Sequence, residues 1–329
     1  MITMKRASLE DIPSIMRFID EQWKENHILA RDRDFFEWQF VDGNQVNVFL
    51  AVDDSGKIYG MLGAILYSHS AHPDISGSIW KTIKSENPML GIELGDFVYA
   101  QLGARYACSP GMNKRACKIY QLQGMDVVSM EHYYRLNNKN RYVIARITQK
   151  TIPAAKDTQF RLELIHSVED MKQIIPEQTL LDGIMSKDYA YIEKRYFQHP
   201  IYRYDIWKII DSAGESHAVL ITREEQVQDS KCCKIVDFYG RETDMGQITA
   251  ALDSMMKERD YEFIDIYSYG VPAKLYEKAG FVRCEENSEN IIPNYFHPFE
   301  QKNISLNLID PHAEGLKIFR GDGDQDRPS

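Results

Sequence analysis

The chain has 329 residues, 43% of them hydrophobic and 27% charged, which is enough for two ordinary domains with separate cores. A formal charge of −10 argues against coating nucleic acid, which needs clustered Lys and Arg, but leaves room for one anionic small ligand. No apolar run approaches the roughly 20 residues that cross a bilayer, and the charged amino terminus lacks the apolar centre of a secretion signal. Five cysteines, odd in number and without a CxxC pairing, read as reduced thiols. A cytoplasmic protein without membrane insertion is therefore expected.

In chain order, ITMKRA (2–7) predicts a strand, and Ser8 is the N-cap of an amphipathic helix over 11–23 with acids in its first turn. A helix over DRDFFEWQF (32–40) follows. NVFLAVDD (47–54) and KIYGMLGAILY (57–67) flank a Gly-containing turn and predict a hairpin. Next come a strand SIWKTIK (78–84), a helix GIELGDFVYAQL (91–102) and a short strand ARYAC (104–108). SPGMNKRACKIYQLQGM (109–125) predicts a further helix, and MDVVSMEHYY (125–134) and RYVIARI (141–147) two closing strands.

The same order then recurs. Setting Tyr120 on Tyr276 brings Lys118 onto Lys274, Gly124 onto Gly280 and Met125 onto Phe281. Upstream, DFFEWQF (34–40) parallels YIEKRYF (191–197), and NVFLAVDD parallels RYDIWKIID (203–211). Two copies of one unit, 1–148 and 158–309, joined by QKTIPAAKD and followed by a tail 310–329, account for these correspondences. The second copy's central helix lies over 245–260. The fold class is α/β, more narrowly a mixed α+β sheet with flanking helices, built twice.

That element order resembles the GNAT acyl-CoA N-acyltransferase superfamily. Asn113, Ala116, Tyr120, Gly124 and Met125 stand at the spacings of its N-x-x-A-x-x-x-Y-x-x-x-G-F pattern, so the chain looks like a tandem form with two GNAT-like domains. The resemblance implies acetyl-CoA as co-substrate and the amine of a small molecule as acceptor, an amino sugar or nucleotide-linked amino sugar being the expected kind. It is also similar to tandem proteins encoded among bacterial surface-polysaccharide genes.

The superfamily cradles pyrophosphate in a Q/R-x-x-G-x-G/A turn, where free N–H groups and the helix dipole favour phosphate. The corresponding turn here is SENPMLGIELG (85–95), so Leu90, Gly91, Ile92, Glu93 and Leu94 are the cofactor candidates. Pro88 and Glu93 depart from the pattern, and a Pro and Gly there also suit a plain helix start. Asn113 would offer an amide to the coenzyme arm. Tyr120 is the candidate catalytic acid for the leaving thiolate, although a Tyr at that spacing also serves as a core aromatic. The resemblance places Trp23, His27 and the 34–40 helix at the acceptor wall; Trp80 reads as core.

The general base stays open among Glu37, Asp53, His27, His69, His72 and Glu93. In the second copy Gly240 and Gly246 are too far apart for one anion cradle, so that copy is expected to have lost the cofactor. A non-catalytic acyl-CoA-binding or scaffold protein is the alternative reading. DGDQD (322–326) resembles the start of a calcium loop, but the chain ends before a twelfth-position Glu, so a solvated tail without metal is expected.

Overall fold

The computed structural model describes residues 1–154, 159–323 and 326–328. The expected domain start at 158, linker residues 155–157, and Gln325 with its neighbour 324 in the DGDQD stretch lie outside the described residues. Two sheets organise the chain. The first is five-stranded, in the order β1 (Ile2–Arg6), β2 (Val48–Asp53), β3 (Ile58–Leu66), β4 (Ile75–Thr82) and β5 (Ala107–Cys108).

Helices α1 (Ile12–Gln22), α2 (Ile28–Arg31) and α3 (Arg33–Phe40) cover one face, burying Ile15, Phe36 and Phe40 against Leu50 and Met61. Helix α4 (Leu90–Leu102) covers the other, with Leu94 and Val98 on Phe49, Leu62 and Ala64. Apolar residues at helical spacing on each helix create those stripes, as the period predicts. Gly63 is where α3 approaches closest: a Cβ there would lie 2.6 Å from the Phe40 ring.

The second sheet is eight-stranded. Its main path runs β8 (Arg161–Ile165), β9 (Tyr204–Ile210), β10 (Ser216–Val227), β11 (Ser230–Gly240), β12 (Tyr261–Tyr269), β7 (Glu131–Leu136) and β13 (Val282–Cys284). The order holds a surprise. β7, expected to close the first copy, pairs antiparallel between β12 and β13, with Phe263 opposite Leu136 and Val282 opposite Tyr134. In return, β14 (Asn307–Asp310) pairs with β6 (Asp126–Ser129). From His132 to Leu136 every residue of β7 is buried, the mark of a strand covered on both faces. Arg135 drives the insertion home: fully buried, it donates to the Ala279 carbonyl at 2.7 Å and pairs with Asp253 on the helix Thr249–Glu258 at 2.6 Å. Gly280, at φ +80°, makes room, since a Cβ there would collide with that guanidinium.

Two further expectations are corrected. RYVIARI (141–147) is not a strand. The buried carboxylate of Glu262 accepts the backbone N–H groups of Val143, Ile144 and Ala145, which curls the segment around it instead of leaving them for a ladder. Nor is the tail solvated. Strand β15 (Ile318–Phe319) pairs with β12, and Arg320, Asp322 and Asp326 are all buried. Arg320 bonds Asp265 at 2.8 Å, Asp322 bonds Lys187, and Asp326 meets Arg223 at 2.6 Å and the Tyr204 hydroxyl at 2.6 Å. A low-hydrophobicity ending hides well because each charge finds an opposite one inside.

Both sheets carry the same irregularity. In the first, Leu62 faces Trp80 but Gly63 faces Ser78, so Ile79 is an extra residue, at a strained φ of +41°. In the second, Ile221 faces Asp237 and Thr222 faces Ile235, leaving Val236 extra. Next to each bulge a parallel pair comes apart: β4 and β5 are paired only at Ile75–Ala107 and Ser76–Cys108. β11 and β12 separate after Ile235–Ile266.

Asp265 is wholly buried between Lys234, Arg320 and His132; against the cost of burial, the cations Arg320 and Lys234 and the hydrogen bond to His132 hold its carboxyl far below the usual range. Asp265→Asn should cost about 3–5 kcal/mol, because it strands buried cations. Urea unfolding followed by circular dichroism measures it, and a loss below about 1 kcal/mol would show that the cluster does not hold the halves together.

Candidate active site

Where β4 and β5 part, one edge of β4 has no strand partner beyond Ser76; Gly77 N–H turns instead to the Ser109 hydroxyl at 3.3 Å. The opening leads into a cleft of about 630 Å³ on the α4 face of the sheet. Its walls include Trp80, Ile92, Tyr99, Ser109, Tyr120 and Gly124. A strand edge that no neighbouring strand covers, inside an apolar cleft, suits an extended chain that carries amides, because such an edge offers backbone N–H and C=O groups.

At one end of the cleft lies the first turn of α4. Met89 is the N-cap and makes no side-chain cap bond; Leu90 N–H reaches the Asn87 carbonyl at 3.4 Å and Glu93 N–H the Met89 carbonyl at 3.0 Å. Among the described residues, the N–H groups of Gly91 and Ile92 make no backbone hydrogen bond outside the helix. Their position at a helix N-terminus is suited to an anion. Gly91 packs on Trp80, whose indole is 3.6 Å from where its Cβ would be. Leu90 and Leu94 are core residues and offer only backbone. Glu93 is exposed, and Asn87 Nδ2 donates to its carboxylate at 2.8 Å while Asn87 Oδ1 accepts Met89 N–H. Glu93 is thus tied back along the loop.

Helix α5 (Lys114–Leu122) sets Tyr120 in the cleft wall, its ring 5.3 Å from that of Trp80. Trp80, read as core from the sequence, packs against the Phe49, Leu62 and Val98 cluster and also lines the cleft. Burial pushes the Tyr120 phenol up to about 12, while the neighbouring Ser109 works the other way. At neutral pH it keeps its proton and can give it away. Asn113 is the N-cap of α5: its Oδ1 accepts the N–H groups of Arg115 and Ala116, both at 3.0 Å, and it is not in the cleft wall. Ser109 escaped notice in the sequence because nothing marks a serine before a proline as special.

A second cavity, of about 270 Å³, lies on the opposite, α3, face of the sheet and between the two halves. Phe35, Trp38, Gln39 and Asn47 come from the first half, and Tyr191, Lys194, Arg195 and His199 from the second. Gln39 bonds the Ser78 hydroxyl beside the bulge at 3.3 Å, linking this cavity to the parted strands. His69 sits at its rim between Asp188 at 2.7 Å and Asp42 at 3.2 Å, and Asp188 above all raises its pKa. Trp23 and His27 stand a layer behind. His27 caps α2 through the Leu29 N–H, and Trp23 lies under Arg327, which lines the cavity. Neither reaches the wall itself.

In the second half the corresponding parting is closed. Phe319 and Ile318 pair with Ser268 and Tyr269 of β12, and Gly321 packs on the Val236 carbonyl at the bulge. Tyr276, the counterpart of Tyr120, is fully buried and donates to Ser268 Oγ at 2.8 Å.

No protein-family model and no curated protein match the sequence. Solved structures do. A GCN5-related N-acetyltransferase from Anabaena variabilis aligns with TM-score 0.58 and 11% identity over 94% of this chain and 72% of its own. A putative acetyltransferase from Pyrococcus horikoshii gives TM-score 0.52 at 10% identity over 99% of this chain and 95% of its own. A GCN5-related glucosamine N-acetyltransferase region of a fungal multi-domain β-N-acetylglucosaminidase gives 0.51 at 11%, over 94% of this chain and 38% of the larger one. The chain has the fold of the GCN5-related N-acetyltransferases, a mixed α/β architecture with flanking helices. Among the described residues, no helix is long and apolar enough to cross a membrane.

Three buried histidines make an acid-sensitivity prediction. Burial is the largest cause in each, lowering His27 and His199 to about 3 and His132 to about 4. Groups lowered on folding contribute stability that is whole above their unfolded value near 6.5 and lost as pH falls below it. Asp322, raised by burial to about 6, and His69, raised by its bond to Asp188, act in the opposite sense, two groups against three. The urea midpoint should therefore drop from pH 7.5 to pH 5; a flat or rising midpoint would contradict the neutral histidines.

Proposed function

We propose that the protein transfers an acetyl group from acetyl-CoA to the amine of a small acceptor, with an amino sugar or nucleotide-linked amino sugar as the favoured kind. The observation that carries this reading is the position of Tyr120: a protonated phenol in a cleft that opens where β4 and β5 part. The coenzyme's extended arm would lie along the β4 edge and its pyrophosphate at the Gly91 and Ile92 N–H groups. Glu93 must stay tied to Asn87 for that to hold. The acceptor would enter from the cavity on the opposite face, past Ser78. Its nitrogen attacks the thioester carbonyl carbon, the C–S bond breaks, the thiolate takes the Tyr120 proton, and the ammonium proton leaves to water. The fungal glucosamine N-acetyltransferase region of the same fold supports the choice of acceptor class.

The second half, on this reading, binds no acyl-CoA, because residues 318–321 occupy the place of the arm. An acyl-CoA-binding protein without turnover remains the competing reading, favoured by the position of Glu93 at the helix start.

Titration calorimetry with acetyl-CoA should give one site per chain; no heat at about 0.5 mM, a weak limit for a specific ligand, would remove the donor assignment. Tyr120→Phe should lower kcat about 100-fold or more with the donor Kd within about 2-fold, the usual scale for losing a general acid. Unchanged turnover would take Tyr120 out of the chemistry.

A further inference from the structure

Two hydrogen-bond donors of the residues that line the cavity between the halves have no partner among the described residues. His199 is only 3% exposed. Its Nδ1 accepts two backbone N–H groups, from Ile201 at 3.1 Å and Tyr202 at 2.9 Å. A ring nitrogen that accepts carries no proton, so the proton of the neutral ring is on Nε2. That Nε2 is buried and has no partner among the described residues. The same is true of Trp38 Nε1, on a ring centred 4.4 Å from that of His199. Lys194 is the third donor. Its ammonium makes one hydrogen bond, to the Val41 carbonyl at 3.3 Å, and burial lowers its pKa against the pull of Asp42.

The carboxylates of the cavity are committed elsewhere. Asp42 faces His69, and Asp326 is held by Arg223, Arg195 and the Tyr204 hydroxyl. Arg195 spends its charge on Asp326, and Arg327 lies over Trp23. Orphaned donors in a buried site each carry a desolvation penalty of about 1–3 kcal/mol. Two such donors around one cavity, with an ammonium beside them, are the complement of an oxyanion.

We infer that this cavity binds an oxyanion of the acceptor, a carboxylate or phosphate on the amine substrate, through His199 Nε2–H, Trp38 Nε1–H and Lys194. Calling the occupant the acceptor rests on the proposed acetyl transfer; the anion site itself does not. Two of the three residues belong to the second half, which therefore sets substrate choice while the first half performs the chemistry. An uncharged sugar hydroxyl accepts one of these bonds but brings the ammonium no charge beyond the pull of Asp42.

The test is calorimetry on the full chain without any acyl-CoA, using D-glucosamine, D-glucosamine 6-phosphate and D-glucosaminate, which share a skeleton and differ in anion. At least one anionic form should bind about 10-fold or more tightly than glucosamine, the scale of one charge-assisted bond. Which of them does so separates phosphate from carboxylate. Lys194→Gln should shrink the preference to about 2-fold, and Trp38→Phe should weaken the anionic form about 5-fold and glucosamine by less. Trp38→Phe keeps an aromatic ring, so a folded variant is available even if changes at His199 perturb the core. Equal binding of all three sugars, no binding of either anion at about 10 mM, or a preference that survives Lys194→Gln would overturn the assignment. Because no donor is present, a protein that fails to transfer acetyl groups can still pass, and an active acetyltransferase can still fail.

Discussion

The insertion of β7 between β12 and β13 is the constraint on which the rest depends. It places residues 131–136 in the second sheet, while β14 returns to pair with β6 beside the first. Neither half completes its own strands. Arg135 and His132 then carry charge and hydrogen bonding from the inserted strand to Asp253 and Asp265 of the second half. Because such contacts are buried, rotation of one half against the other would break several at once. The cavity between the halves accordingly has walls of fixed separation, and an orphan such as His199 Nε2 stays where it is for a ligand to meet.

A bulge explains why the sheets have openings at all. One extra residue, Ile79 or Val236, turns the strand and lets the adjoining parallel strand drift away. The two halves use the resulting gap differently. The first opening stays free and is bordered by Tyr120 and Trp80; the second receives β15 and the turn after it. A single structural device thus serves as a cleft once and as a socket for the chain's own end once. The socket is secured by ion pairs, Arg320 with Asp265 and Asp322 with Lys187, whose partners come from segments far apart in sequence.

Much of this architecture is legible in the sequence. The helical stripes of α1, α3 and α4, the 47–67 hairpin and the two closing glycines at 124 and 280 all follow from local periodicity and turn chemistry. The pairing of Tyr120 with Tyr276 sets two similar helices in register, and the Asn113–Tyr120 spacing points to the helix that borders the cleft. Of the residues expected at an acceptor wall, the 34–40 helix lines the cavity through Phe35, Trp38 and Gln39, and Trp23 and His27 stand behind it. Asn113 proves to be a cap, since an Asn before a helix start bonds its own backbone first.

Other features have no local signature. RYVIARI alternates as a strand should, yet Glu262, more than a hundred residues away, captures its N–H groups. DGDQD reads as solvated because composition counts charges without knowing their partners. His199 is one histidine among nine until its tautomer and neighbours are seen. Sequence alone indicated most of the elements and the helix that borders the cleft, because those rest on periods and caps within a few residues. Only the tertiary structure decided which sheet β7 joins, which opening stays empty and which donors go unpaired, because each depends on groups brought together from both halves of the chain.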